Sequence, residues 1–257
     1  MVKHLNQTVA INRDPLHRSR WFVGRHLQTL IEANSSFGLP LRLNLEPASC
    51  NDADSGAIVL HHACRQYAQS SIRLRYGLFD KAYEGEPFLR LCYHHGLDPL
   101  VARTRPAKLK AAIKRRLAKA GVRISSDGVP VCQAALPLLS RGHSKPHVLA
   151  WSCPRGGDCE NPCPFAHKSL CLNALDDPRA LTPVPSATKP RKALFRRRTA
   201  VERWHAWLDY TEVQNARHRR DYLWFGRSAL ATIAWHLKHW APKLTDQWLR
   251  DTFPLTI

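Results

Sequence analysis

Apolar and polar residues alternate roughly every second position from Trp21 to Glu32, and strictly from Leu41 to Glu46. Between them Ser35-Ser-Phe-Gly-Leu-Pro40 has the composition of a turn, so two strands joined as a hairpin are predicted. After Asn51-Asp-Ala-Asp-Ser the period lengthens, with Ala57, Leu60, Ala63 and Cys64 at helical spacing. Ile72 to Phe79 reads as a strand ending at Asp80. A short helix follows from about Glu86 with Phe88, Leu91 and Cys92 on one face, then a short strand over Leu97–Ala102. The order β-β-α-β-α-β predicts a mixed α/β layer architecture.

A third helix is predicted from Pro106 to Ala120, because proline suits a first helical position and Leu109, Ala112, Ile113, Leu117 and Ala120 form one stripe. Lys108, Lys110, Lys114, Arg115, Arg116 and Lys119 fill the rest of that helix, with no acidic residue between Asp98 and Asp127. Two readings stay open: a solvated face, or a surface that contacts phosphates. From 121 to 178 periodicity fades and Gly, Pro, Cys and His rise, as expected of an insertion and not of core. Within it Val122-Arg-Ile and Val129-Pro-Val-Cys are candidate short strands about the Asp127-Gly128 turn. Pro178 to Pro190 reads as a proline-punctuated linker. Long helices return from about Leu194, one with Val201, Trp204 and Leu208 on its apolar side. The other runs from about Tyr222 to Trp240, with Leu230, Ile233, Ala234 and Leu237. The predicted organisation is 1–105, 106–178 and 179–257.

Composition narrows the function. Lys and Arg number 39 against 20 Asp and Glu, a formal net charge of +19, while 44% of the 257 residues are hydrophobic. The aromatic content excludes a disordered basic tail, and no apolar run is long enough to span a membrane. A folded chain this basic attracts polyanions, nucleic acid first among them. Between Arg179 and Arg227, twelve Lys or Arg face four acidic residues, with Trp204, Trp207 and Trp224 interleaved. Cys50, Cys64 and Cys92 are scattered and read as small buried hydrophobes. Cys132, Cys153, Cys159, Cys163 and Cys171 cluster, with His147 and His167 among them. Without a secretory signal a disulfide framework is not expected. Cys153, Cys159, Cys163 and Cys171 are candidate zinc ligands, with His167 or Cys132 as substitutes, though looser in spacing than paired CxxC motifs; a reduced, metal-free loop is the alternative.

Three segments in order resemble bacterial insertion-sequence DDE transposases. Trp21-Phe-Val-Gly-Arg-His-Leu, with Gly38-Leu-Pro-Leu and Cys50-Asn-Asp-Ala-Asp, is similar to their hairpin-then-helix stretch. Phe79-Asp-Lys-Ala-Tyr-Glu resembles the strand carrying their second catalytic aspartate. Arg197-Arg-Thr-Ala-Val-Glu-Arg203 resembles the helix carrying their catalytic glutamate. The resemblance implies a ribonuclease-H-like mixed sheet with flanking helices and a Cys-rich insertion. It also implies a DNA transposase that cleaves and rejoins phosphodiesters with Mg²⁺ or Mn²⁺, Asp80 and Glu202 being metal ligands and Arg198 a catalytic partner one helical turn before Glu202.

Hard divalent cations prefer carboxylate oxygens and need few protein ligands beside substrate phosphate, which fits these residue types. Lys114, Arg115, Arg116, Arg196, Arg197 and Arg203 are the candidate DNA contacts. Departures from the pattern are as informative. The strand with the first aspartate lies well upstream in the family, whereas only twenty residues precede Trp21 here. Phe195 stands for the family's tyrosine and Asp209 for its lysine. The expectation is an N-terminally truncated, catalytically incomplete transposase, bacterial, cytoplasmic and nucleoid-associated, that binds double-stranded DNA, uses no membrane and forms a homo-oligomer on DNA. The alternative is a non-catalytic zinc-containing nucleic-acid-binding protein. A metal-dependent nuclease would need a third carboxylate, for which Asp14 and Asp52 are candidates.

Overall fold

The computed structural model describes residues 10–13, 21–102, 107–156, 158–159, 164–165, 167–185, 188–213 and 220–252. In chain order the elements begin β1 (Ala10–Arg13), β2 (Trp21–Ile31), β3 (Pro40–Pro47), α1 (Asp52–Tyr67), β4 (Tyr76–Phe79), α2 (Glu86–His94), β5 (Asp98–Val101) and α3 (Ala111–Lys119). They continue with β6 (Arg123–Ile124), β7 (Pro130–Val131), β8 (Leu139–Lys145), β9 (Val148–Ser152), β10 (Leu170–Asn173), α4 (Lys189–Arg196), α5 (Thr199–Tyr210) and α6 (Asp221–Thr252). The molecule is mixed α/β, as the pattern predicts, and divides into two compact units: residues 1–59 with 197–257, and residues 60–196.

The first unit is built on the predicted hairpin. β2 and β3 pair antiparallel from Arg25↔Pro47 to Leu30↔Arg42, and β1 adds a third antiparallel strand along the first half of β2. The core lies between this sheet and helices from the other end of the chain: Trp204, Leu208, Val213, Ala231 and Trp235 are buried, with Leu27, Ile31, Leu39 and Leu43 against them. Gly38 is what lets the hairpin tip approach α5. Its φ is +61°, and a Cβ there would stand 2.9 Å from that of Ala200.

In the second unit β4 and β5 run parallel, joined through α2. Strand β4 starts at Tyr76 and not at Ile72, because its partner β5 begins at Asp98, opposite Tyr76, and leaves nothing upstream to pair with. Helix α3 likewise starts five residues later than predicted, at Ala111. The Asp177 carboxylate accepts a 2.9 Å hydrogen bond from the Lys110 N–H, satisfying a free donor at the helix start; Pro106 lies outside the described residues. The β6–β7 hairpin forms as expected, with Gly128 at φ +82°.

The Cys-rich region corrects the sequence reading most. It is not an appendage to a core: Val122, Cys132, Leu138, Leu149, Trp151, Leu170, Leu172 and Ala174 are the main part of this unit's core, beside Tyr93, Ile113, Leu117 and Leu181. Leu149 and Trp151 lie on β9 and Leu170 and Leu172 on β10, in a three-stranded antiparallel sheet of order β10-β9-β8. The Pro178–Pro190 segment is packed too, since Pro178 and Leu181 are buried and Pro190 is already in α4. Nor is there one helix from Leu194: α4 ends at Arg196 and α5 starts at Thr199. The buried Arg191 ties α4 to the second unit, its guanidinium donating to the Val101 carbonyl at 2.7 Å and the Val184 carbonyl at 3.0 Å. Helix α5 packs in the first unit.

Candidate active site

Asp80 follows the last residue of β4. The local chain is fixed by aromatic packing: the Phe79, Tyr83 and Phe88 rings lie 4.8–5.7 Å apart. Gly77 makes room for this, because a Cβ there would stand 2.3 Å from the Phe79 ring. The Asp80 carboxylate is exposed and caps the following 3₁₀ turn, Lys81–Tyr83, by accepting from the Lys81 N–H. A strand end with an exposed carboxylate at the C-terminal edge of a parallel pair is a position from which a hard cation can be held.

Glu202 sits in the first turn of α5, where a negative side chain is favoured by the free N–H groups. Arg198 immediately precedes that helix, and its Nη2 lies 3.6 Å from Glu202 Oε1, with Glu202 64% exposed. The structure therefore brings Arg198 and Glu202 together as the spacing predicts. Below them Ala200, Trp204 and Leu208 face the core, and Trp204 Nε1 donates to Thr29 Oγ1 at 3.3 Å. Glu202 thus stands on a helix anchored to the β2–β3 hairpin. Asp80 belongs to the other unit.

The strand beside β2 bears on the third carboxylate. β1 has the sequence Ala-Ile-Asn-Arg, which includes none. Asp14 lies outside the described residues. Asp52 opens α1, 3.3 Å from His26 Nε2.

The candidate DNA contacts separate into two kinds. Lys114 and Arg115 are exposed on α3 with no partner among the described residues. Arg116 is 2.8 Å from Asp176, and Lys110 3.1 Å from Glu86, so acids from other elements supply part of the compensation that α3 lacks in its own sequence. Glu86 is held below the usual carboxylate range by hydrogen bonds from Arg90 and Lys110. Arg197 donates to Asn34 Oδ1 at 2.7 Å and Arg203 to the Ser36 carbonyl at 3.2 Å, so both clasp the hairpin tip to α5. Arg196 is the last, exposed residue of α4. Local sequence pattern gives no sign of the clasp or of the Gly38–Ala200 contact, because the clasped residues are 163 and 167 positions apart.

The expected zinc set does not assemble among the described residues, where no group of three or more His, Cys, Asp or Glu is arranged to hold a metal. Cys163 lies outside them. Cys153 is buried, and Cys171 points outward from β10 between the buried Leu170 and Leu172, 3.9 Å from Ser144 Oγ. Burial, then the neighbouring Cys153, pushes the Cys159 thiol up. Cys64 and Cys92 are the buried hydrophobes expected; burial raises both thiols, that of Cys64 to about 11. Cys50 is half-buried. None of the described helices is long and apolar enough to cross a membrane.

Compared with known proteins, residues 12–234 match the family model described as "Transposase DDE domain". No curated protein and no solved structure matches the chain.

Proposed function

The chain belongs to the transposase DDE-domain family, and from that premise we propose that it acts on double-stranded DNA by divalent-metal chemistry, with Asp80 and Glu202 as ligands. The observation that carries this is the place of Asp80 in the fold: an exposed carboxylate that directly follows a strand of a parallel pair, in the segment that resembles the family's second acidic motif. Domains of this family use divalent metals, and the donors fit, since both carboxylates are exposed and offer the hard oxygens that Mg²⁺ and Mn²⁺ prefer. Bound there, such ions activate an incoming oxygen and stabilise a leaving one in phosphodiester cleavage and strand transfer. In this reading Arg198 orients the Glu202 carboxylate and offers a cation to phosphate. In this reading the mixed α/β fold is ribonuclease-H-like. β1 contributes no carboxylate, so in this reading Asp80 and Glu202 fill two of the three acidic positions among the described residues.

The test is Mn²⁺ binding to the whole chain, read by electron paramagnetic resonance. We expect weak binding that Asp80→Ala and Glu202→Ala each diminish, with no strand transfer on donor DNA. Binding untouched by both substitutions overturns the assignment. Mg²⁺-dependent cleavage that Asp80→Ala abolishes would mean that this chain supplies a third ligand after all. DNA affinity should fall steeply with salt and tolerate sequence changes. Replacing Lys114 and Arg115 by alanine should reduce the slope of log affinity against log salt by about 1.8, at roughly 0.9 per phosphate contact. An unchanged slope removes α3 from the DNA surface.

A further inference from the structure

Two imidazoles from separate helices meet nitrogen to nitrogen in the second unit. His61 Nδ1 lies 3.0 Å from His95 Nε2, with the ring centroids 5.0 Å apart and the planes tilted by 58°. Each helix holds its ring in place. His61 lies in the turn of α1 that buries Leu60, Ala63 and Cys64. His95 is the C-cap of α2, and the N–H groups of Gly96 and Leu97 close that end on the Tyr93 and Cys92 carbonyls, each at 2.9 Å. His95 comes just ahead of β5, whereas Asp80 follows β4, so the two stand at opposite ends of the parallel pair.

We propose that His61 and His95 bind one borderline transition-metal dication, of the class of Zn²⁺, Ni²⁺ and Cu²⁺, as a clip between α1 and the end of α2. Imidazole nitrogens hold such ions at about 2.0–2.1 Å. Two neighbouring ligands then lie about 2.9–3.4 Å apart, for angles between square-planar and tetrahedral. The observed 3.0 Å falls inside that range, so binding calls for a turn of the two rings and no movement of the helices. The proton that one ring donates to the other moves to the far nitrogen of its own ring, which leaves a lone pair on both facing nitrogens.

The surroundings agree. His95 sits at the negative end of α2, where a cation is favoured. A cavity of about 350 Å³, lined by His95 with Cys64, Tyr67, Ser70, Arg73 and Leu97, gives an entry path and room for water on the ion. Water completes the coordination, since among the described residues no third His, Cys, Asp or Glu joins the pair in a metal-holding group. The donor set separates this ion from the one assigned to Asp80: imidazole suits borderline ions, whereas carboxylate suits Mg²⁺ and Mn²⁺. The two sites therefore stand or fall separately.

The test is titration of the whole chain with Ni²⁺ at neutral pH, followed by calorimetry and by the ring signals of ¹⁵N-histidine-labelled protein. The His61 and His95 rings should broaden first and together, before one equivalent of Ni²⁺ is added. Zn²⁺ should compete for the site and a large excess of Mg²⁺ should not. His61→Ala and His95→Gln should each weaken binding at least about tenfold, no less than the loss of an outer partner costs a metal site. His62→Ala should leave it intact, because consecutive residues on a helix do not face the same way and His62 is exposed. Ni²⁺ should raise the unfolding midpoint of the unmodified chain and not that of His61→Ala or His95→Gln. Should a variant misfold, the ring signals of the unmodified chain decide. Absence of binding overturns the proposal, as does broadening of other histidines ahead of these two. An affinity untouched by both substitutions, or lost equally in His62→Ala, also overturns it. A chain that fails to bind Mn²⁺ at Asp80 can still pass, and one that binds Mn²⁺ can still fail.

Discussion

The two units bury their cores by opposite means. In the second, the buried residues from Tyr93 to Leu181 come from one continuous stretch, much of it short strands and turns with little periodicity. In the first, strands near one end of the chain meet helices near the other. Trp204 bonds Thr29 across 175 positions, Trp235 Nε1 donates to the Gly38 carbonyl across 197, and His236 Nε2 lies 3.0 Å from the Pro40 carbonyl across 196. Closing a long loop costs chain entropy before any contact repays it. The first unit therefore depends on a few large aromatic contacts, whereas the second spreads its stability over many medium-sized side chains. Each unit carries one of the two candidate carboxylates, Glu202 in the first and Asp80 in the second.

The sharpest way to break this comparison is to delete one core residue from each unit. Trp204→Ala should cost about 3–5 kcal/mol and Leu172→Ala about 2–5 kcal/mol, as for other fully buried side chains. Hydrogen exchange under mild denaturant should show Trp204→Ala opening β2, β3 and α5 while leaving β9 and β10 protected, with the reverse for Leu172→Ala. If both variants open the same amides, the units do not fold separately.

A smaller effect should follow at the hairpin tip. Gly38→Ala imposes a left-handed backbone on a residue with a Cβ and presses it against Ala200. It should cost about 1–2 kcal/mol from the backbone alone, read as a lower urea midpoint of the first unit only. A stability unchanged by this substitution would mean that α5 is free to shift away from the hairpin.

The smallest expected effect distinguishes the units by pH. In the second, His61 Nδ1 and His95 Nε2 are 3.0 Å apart, and burial, then the neighbouring His61 and His94, hold His95 below its ordinary value of 6.5. The unfolded chain then binds this proton more readily than the folded one. The contribution of His95 is fully present above about pH 6.5 and is lost as pH falls toward the lowered folded value. His95→Gln should flatten the fall of unfolding midpoint on acidification for the second unit. An identical pH profile in the variant would assign the acid sensitivity to other groups.

Much of the local structure is legible in the sequence. The hairpin over 21–47, helix α1, the short α2 and the short strand β5 follow from period and turn composition, because a two-residue or 3.6-residue repeat fixes which face each side chain takes; that β5 pairs parallel with β4 only the structure decides. Asp80 at a strand end and Arg198 one turn before Glu202 follow for the same reason. What local pattern could not settle is which partner each face meets. The Cys-rich region has too little periodicity to announce a core, yet its Leu and Trp residues bury together because antiparallel pairing of β9 and β10 places Leu149 and Trp151 beside Leu172 and Leu170. The helix expected from about Leu194 is divided, α4 ending at Arg196 and α5 starting at Thr199; Arg191 is held by the Val101 and Val184 carbonyls of the second unit and Trp204 is buried in the first. Helix α6 has the clearest apolar stripe in the chain, and the tertiary structure turns it outward: Trp235 offers the larger surface to the hairpin core, and a helix has only one side to give.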